Sequence, residues 1–207
     1  MRKLVVLIDP GHGGADPGAV AAGMREADIN LAVARRLVTI LADHGVQVHT
    51  TRWQDTTVSL GERCAQEHRL RPDLFLSLHC NAAVSPEARG IEIWTSPGDS
   101  PADPAATAIF RAVCQAFSER AVRTDYSDGD PDKEARFQVL VRTLGPAVLL
   151  EMGFLSHPEE RAWLGEINVQ THMALAIAAG ILQWRRQSAD DHHARIQDVR
   201  KHQGGRP

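Results

Sequence analysis

The 207-residue sequence lacks several features that would place it in a special class of protein. It contains no apolar run of the roughly 18 residues that a transmembrane helix needs. Its net charge is only −3, from 23 Lys and Arg against 26 Asp and Glu, which gives no indication of nucleic-acid binding. Hydrophobic residues make up 43% and charged residues 24%, values that exclude a disordered or fibrous chain and predict a globular protein.

Cysteine is scarce in this sequence, and an export signal is not recognisable. Cys64, Cys80 and Cys114 are widely spaced and odd in number, so they form neither a disulfide framework nor a paired-thiolate metal site. The apolar segment at residues 4–8 is shorter than the hydrophobic region of a secretory signal, which needs about 7–15 apolar residues followed by a small-residue cleavage site. We therefore read this segment as a buried strand, and expect a chain made without a signal or one from which a signal was removed.

Short apolar runs alternate with longer amphipathic segments along the chain. The runs predict strands at residues 4–8, 46–50, 74–79, 91–95 and 147–150. The amphipathic segments predict helices at about residues 26–44, 59–68, 101–120, 158–164 and 167–184, with a polar, Asp-rich loop at 123–136. Ser59 and Glu62 have the spacing of a capping box at the start of the second helix. This alternation predicts an α/β fold: a single domain whose twisted, mostly parallel sheet is flanked by helices on both faces.

The last 23 residues differ in composition from the rest of the chain. Residues 185–207 hold six Lys or Arg and three Asp, a net charge of +3, so the other 184 residues carry −6. Ile196 and Val199 are the only large apolar residues of this segment. We therefore expect one domain over residues 1–184, followed by a polar, disordered C-terminal tail over residues 185–207.

Four polar side chains are predicted to meet at one edge of the sheet. His12 and Glu151 follow predicted strands, His79 ends one, and Glu26 begins the first helix. Ligands of open α/β sheets bind beyond the carboxyl ends of the strands, which brings these residues together. Two imidazoles and one carboxylate are the protein ligands of a catalytic zinc site, and a second carboxylate can act as general base.

Each of these residues alone has an ordinary explanation. A histidine at a strand end is usually a satisfied polar residue, and a glutamate at a helix start is favoured by the helix dipole. Glu151 follows four apolar residues, so its carboxylate is expected to be half-buried and to need a partner or a raised pKa. The prediction of a zinc site depends on their convergence, and the position of Glu151 at the end of a buried strand favours it as the base.

The motifs around these residues resemble the zinc-dependent N-acetylmuramoyl-L-alanine amidases of the Amidase_3 family. The resemblance extends in the family's order from about residue 4 to residue 182. It is carried by Val6-Leu7-Ile8-Asp9-Pro10-Gly11-His12-Gly13-Gly14, by Glu26 with Asn30-Leu31, and by the segments at residues 51–55, 60–63, 73–82, 90–92 and 146–156.

The resemblance implies a peptidoglycan hydrolase that uses a zinc-activated water. The bond cut would be the amide between the lactyl group of N-acetylmuramic acid and L-alanine. By position, His12, Glu26 and His79 match the ligands of one zinc ion per chain, and Glu151 matches the catalytic glutamate. Residues 1–184 would then form the amidase catalytic domain.

Two further residues are expected to bind the substrate. Asn81 lies in the family's His-x-Asn-Ala segment. Arg142 could pair with a stem-peptide carboxylate, because the arginine fork suits carboxylates. We expect a monomer with no nucleic-acid partner and no membrane span. It would act on the cell wall, either as a phage-type lysin released from the cytoplasm or as an exported enzyme.

Two other functions fit the same residues. The first is a zinc peptidase or deacylase that acts on another small amide. The second is a non-catalytic wall-binding module with a structural zinc. Structural zinc sites are usually closed by four protein ligands, often thiolates, whereas Cys80 is expected to point away from His79 by the alternation of a strand.

Overall fold

The structure is a computed structural model that describes residues 2–203, and the side chains of residues 2–188. Its strands are β1 Val5–Pro10, β2 Val20–Ala21, β3 Met24–Arg25, β4 Gln47–Thr50, β5 Leu74–Asn81, β6 Glu92–Thr95, β7 Lys133–Glu134 and β8 Ala147–Phe154. Its helices are α1 Glu26–Asp43, α2 Leu60–Leu70, α3 Asp103–Ala116, α4 Gln138–Val141, α5 Pro158–Gly165 and α6 Ile167–Gln203.

Six strands form one mixed, mostly parallel sheet in the order β4-β1-β5-β8-β6-β7. The pairs β1–β4, β1–β5, β5–β8 and β6–β7 are parallel, and β6 runs antiparallel to β8. The strands β2 and β3 pair with each other in a separate small hairpin. The prediction of an α/β domain with a mostly parallel sheet is therefore confirmed.

Both faces of the sheet are covered by apolar side chains, which explains why its central strands are nearly continuous apolar runs. Alternate residues of β1 point to opposite faces: Val6 and Ile8 pack with α1, α3 and α6, whereas Leu7 packs on the other side. That second, smaller cluster consists of Leu7, Phe75, Val139, Leu140, Ala147 and Leu149, with Leu70 and Trp94 against it. The helices thus lie on both faces, as predicted.

The starts of the helices were predicted better than the ends of the strands. The capping box of α2 is present, since Ser59 accepts a hydrogen bond from the Glu62 backbone and the Glu62 side chain accepts one in return. The prediction that Glu151 follows its strand is wrong, because β8 continues through Glu151 to Phe154. Continued pairing with both neighbouring strands keeps the backbone extended there despite the carboxylate.

Helix α6 continues well beyond the end that was predicted near residue 184 and reaches Gln203. Residues 185–203 contain neither glycine nor proline, so no helix-breaking residue occurs before Gly204. Residues 204–207 of the predicted tail lie outside the described residues. The division of the chain at residue 184 stays a prediction. No described helix is both long and apolar enough to cross a membrane.

Candidate active site

Three side chains from three different elements meet at the carboxyl ends of the parallel strands. His12 lies in the loop after β1, Glu26 is the first residue of α1, and His79 lies near the end of β5. Glu26 Oε1 is 3.2 Å from His12 Nε2 and 2.8 Å from His79 Nδ1. The three potential ligand atoms all lie within 4.8 Å of one another. The predicted convergence of these residues is therefore present in the structure.

Glycines make this close approach possible. A Cβ atom on Gly11 would overlap the imidazole ring of His79. A Cβ atom on Gly18 would lie 2.5 Å from Glu26 Oε2, and Gly18 also has a positive φ of 65° that favours glycine. The glycine-rich segment after β1 is therefore needed to leave space for the three side chains.

Neighbouring groups fix the orientation of the three side chains. The backbone N–H of Ala19 donates to Glu26 Oε2 at 2.9 Å, and the backbone N–H of Cys80 donates to Glu26 Oε1 at 3.1 Å. His12 Nδ1 lies 2.8 Å from Asp16 Oδ2, which leaves Nε2 directed at Glu26. A carboxylate behind a histidine ligand is the usual way to fix its tautomer. Asp16 was not singled out from the sequence, although its position four residues after His12 was a possible signal.

The electrostatics of the cluster favour positive charge at its centre. The hydrogen bond to Glu26 raises the pKa of His12 to about 9, although burial opposes this shift. Burial opposes ionisation of Glu26, but its hydrogen bonds with His12 and His79 outweigh that effect and lower its pKa. A divalent cation in this place would satisfy the same buried carboxylate.

The donor set fits zinc. Ligands at about 2.0–2.1 Å in a tetrahedral zinc site lie roughly 3.3 Å apart, close to the two distances measured from Glu26 Oε1. The set contains no thiolate among the described residues, since Cys80 Sγ contacts Asn30 Oδ1 at 3.6 Å on the side of α1. Three protein ligands would leave one position open, as in catalytic rather than structural zinc sites.

Glu151 lies beside this cluster in the middle of the sheet. It pairs with His79 of β5 on one side and with Glu92 of β6 on the other. Directly paired residues project from the same face of a sheet, so the three side chains are neighbours. Glu151 Oε2 is buried and has no hydrogen-bond partner among the described residues. Burial, with a contribution from Glu26 and Glu92, raises the pKa of Glu151 to about 7.

Glu92 organises the polar groups next to Glu151. Its side chain is buried and accepts hydrogen bonds from Asn81 Nδ2 at 2.6 Å, Arg123 Nε at 2.8 Å and Lys133 Nζ at 3.1 Å. The structure therefore brings Asn81 close to the candidate site. Glu92 was recognised in the sequence only as part of a motif. Its pairing with Glu151 depends on the antiparallel placement of β6, which sequence pattern does not predict.

The hydrogen bond of Arg142 joins α4 to α2 and does not involve Asn81 or Glu92. Arg142 is exposed at the end of α4, and its carbonyl accepts a hydrogen bond from His68 Nε2 at 2.7 Å. His68 lies in the last turn of α2.

Two buried arginines hold the loop that carries His12. Arg52 donates to the carbonyls of Pro10 and Gly11, each at 2.9 Å. Arg63 donates to the carbonyl of His12 at 2.8 Å and forms a buried ion pair with Asp9. The backbone of His12 has a φ of 61°, a conformation that few residues other than glycine adopt. These hydrogen bonds hold His12 in that conformation.

The comparison with known families decides the identity of this site. A family model described as N-acetylmuramoyl-L-alanine amidase, Amidase_3, matches residues 6–183. The chain belongs to this family. It is an N-acetylmuramoyl-L-alanine amidase, a hydrolase of peptidoglycan, and its predicted family and activity are confirmed.

Known amidases resemble most of this chain, two of them by solved structure and one by sequence. The amidase AmiC2 of Nostoc punctiforme is 33% identical, with a TM-score of 0.81 over 89% of this chain and 98% of that chain. The catalytic domain of CwlV from Bacillus (Paenibacillus) polymyxa var. colistinus is 32% identical, with a TM-score of 0.80 over 88% and 98%. The amidase AmiA of Escherichia coli is 28% identical over 228 residues, or 88% of this chain and 76% of that protein.

These relatives also bear on where the enzyme acts. Cell-wall amidases act at the cell envelope, in agreement with the expected place of action. The relatives compared above are bacterial amidases, and they give no support to the phage-lysin part of the prediction.

Proposed function

We propose that His12, Glu26 and His79 hold one zinc ion per chain, and that Glu151 is the catalytic base for cleavage of the amide between N-acetylmuramic acid and L-alanine. The observation that carries this proposal is the buried, unpartnered Oε2 of Glu151 beside a cluster of two imidazoles and a carboxylate. Glu26 Oε1 contacts both histidines, whereas Glu151 Oε2 has no hydrogen-bond partner among the described residues.

Glu151 has the properties of a general base and acid. When bound, zinc supplies a Lewis acid that polarises the amide carbonyl and lowers the pKa of water. Glu151 Oε2 can accept a proton from the attacking water and transfer it to the nitrogen of the leaving L-alanine amine. Burial raises the pKa of Glu151 in the metal-free chain and so favours the protonated form, which is the form that donates to the leaving amine.

The groups around Glu92 are proposed to orient the substrate. Asn81 uses one amide hydrogen for Glu92, which leaves the second hydrogen available to a substrate carbonyl. Trp94 and Phe137 form an edge-to-face pair with ring centroids 5.3 Å apart, and Phe137 is exposed. Arg142 is exposed after α4 and remains a proposed partner of a stem-peptide carboxylate.

The two glutamates can be separated by measuring zinc and activity in the same preparations. We expect Glu151→Gln to lose about 10²–10⁴-fold in rate while it keeps close to one zinc per chain after dialysis. We expect Glu26→Gln to lose zinc under the same dialysis, because a ligand has been removed. His79→Ala should lose at least about 100-fold in activity for the same reason. Activity is measured by mass spectrometry of the products from purified peptidoglycan.

A matched control is Glu159→Gln, which alters an exposed glutamate in the first turn of α5. It should keep both zinc and activity. Retention of zinc by Glu26→Gln together with loss of zinc by Glu151→Gln would reverse the two assigned roles. Full activity in a verified metal-free preparation would refute the zinc mechanism itself.

A further inference from the structure

A second group of carboxylates lies apart from the active site, at the carboxyl end of β6. Asp103 is the first residue of α3, and Asp130 and Asp132 belong to the Asp-rich loop before β7. One ligand atom from each residue lies within 4.8 Å of those from the other two. Thr95, the last residue of β6, donates a hydrogen bond of 2.6 Å to Asp132 Oδ2. The three carboxylates are therefore held together by separate parts of the fold.

Buried oxygen atoms of this group have no partner. Asp132 is only 3% exposed, and its Oδ1 lacks a hydrogen bond among residues 2–188. Asp103 Oδ1 is likewise buried without a partner. A buried carboxylate oxygen normally accepts a hydrogen bond or binds a cation, because its desolvation is otherwise costly. Two such atoms in one cluster indicate a missing positive partner.

The chain itself supplies no such partner in its described part. No Lys, Arg or His of residues 2–188 forms an ion pair with these three aspartates. Lys133, the next residue after Asp132, bonds to Glu92 instead. Burial and the neighbouring Asp130 raise the pKa of Asp132 to about 8. In the absence of a cation, the cluster therefore relieves its repulsion by holding a proton.

We propose that Asp103, Asp130 and Asp132 bind a calcium ion. The donor set is oxygen only, which selects a hard cation over zinc. Oxygen ligands lie about 2.3–2.6 Å from calcium in a flexible geometry, so ligand atoms within 4.8 Å of one another, as here, can share one calcium ion. Magnesium usually binds only one or two carboxylates and keeps several waters, whereas three carboxylates converge here, which favours calcium.

Calcium at this position would connect the start of α3, the end of β6 and the loop before β7. Asp132 directly precedes β7, and Lys133 of β7 donates to Glu92, the strand partner of Glu151. The ion would therefore stabilise the segment that supports the polar rim of the active site. This role is independent of the zinc ligands and leaves the proposed catalytic chemistry unchanged.

Calcium binding can be measured directly on the full chain. After equilibrium dialysis against 1–10 mM CaCl₂, about tenfold above the Kd of roughly 0.1–1 mM that is typical of extracellular calcium modules, elemental analysis should find about one calcium per chain. At a calcium concentration about tenfold above Kd, the Tm should rise by roughly 3–6 °C. Asp132→Asn and Asp130→Asn should bind less than a tenth as much calcium at 1 mM and show no rise in Tm.

The matched control is Asp125→Asn, which alters an exposed aspartate of the same loop outside the cluster. It should bind calcium as the unaltered chain does. Without calcium, Asp132→Asn should melt at the same or a higher temperature, since the substitution removes repulsion, and this shows that the variant folds. Absence of calcium at 10 mM, unchanged binding in both cluster variants, or tighter binding of magnesium than of calcium would each overturn the proposal.

Discussion

The ion pair between Asp9 and Arg63 is predicted to be the most sensitive structural support of the active site. The two side chains are 1% and 4% exposed. Asp9 also accepts hydrogen bonds from Thr51 Oγ1 at 2.6 Å and Ser77 Oγ at 2.8 Å. Arg63 additionally donates to the carbonyls of Pro10 and His12. Substitution of Arg63 by Met keeps most of the side-chain volume but leaves the Asp9 charge buried without its partner.

The expected loss follows from the cost of an unpaired buried charge. Removing one partner of a buried ion pair typically destabilises a protein by about 3–5 kcal/mol. For a domain of this size, each kcal/mol lowers Tm by about 2–4 °C, so Arg63→Met should lower Tm by roughly 6–20 °C. The double variant Asp9→Asn/Arg63→Met should recover part of this loss, because the unpaired charge is gone. Zinc retention after dialysis should also fall in Arg63→Met, since the His12 carbonyl loses its donor.

Thermal unfolding followed by circular dichroism measures these differences. The control is Arg35→Met, which alters an exposed arginine that donates two hydrogen bonds to the Trp53 carbonyl. It should change Tm by no more than about 2 °C, as is usual for surface substitutions. If Arg63→Met melts within 2 °C of the unaltered chain, or if the double variant is less stable than the single one, the assignment of this pair as a support is wrong.

Three further predictions concern the loop, a cap and the tail. Gly11→Ala should displace the His79 ring and lower zinc content after dialysis, whereas Gly61→Ala, where an added Cβ meets no atom within 4 Å, should not. Ser59→Ala removes the capping box of α2 and should lower Tm by about 2–4 °C in a melting experiment, and an unchanged Tm would show that the cap is dispensable. Truncation after Gln187 should leave Tm within a few degrees, and a drop of more than about 10 °C would mean that the tail stabilises the domain.

The sequence was sufficient to predict the family, the activity and the convergence of three side chains, but not the surroundings of the site. His12, Glu26 and His79 could be brought together because the carboxyl ends of parallel strands share one edge of a sheet. Glu92 could not be placed, since its position next to Glu151 depends on β6 running antiparallel to β8. The buried partners of Asp9 were missed for a similar reason: Arg63 is 54 residues away, and only tertiary packing brings the two together.

The helix and strand boundaries are determined by local sequence in some places and by tertiary contacts in others. The start of α2 was correct because Ser59 and Glu62 are a local pair. The end of β8 was wrong because pairing with β5 and β6 outweighs the local effect of a carboxylate at residue 151. The end of α6 was wrong for a local reason, since a polar composition without glycine or proline is still compatible with a helix.

The place of Glu151 inside a central strand has a consequence for how this enzyme can diverge. Hydrogen bonding of β8 to strands on both sides fixes the spacing between Glu151 and His79 by the register of the sheet. Loops around the edge can then change in length and sequence without altering that spacing. We therefore expect variation among such enzymes to change which wall fragments are accommodated, while the step that breaks the amide bond stays the same.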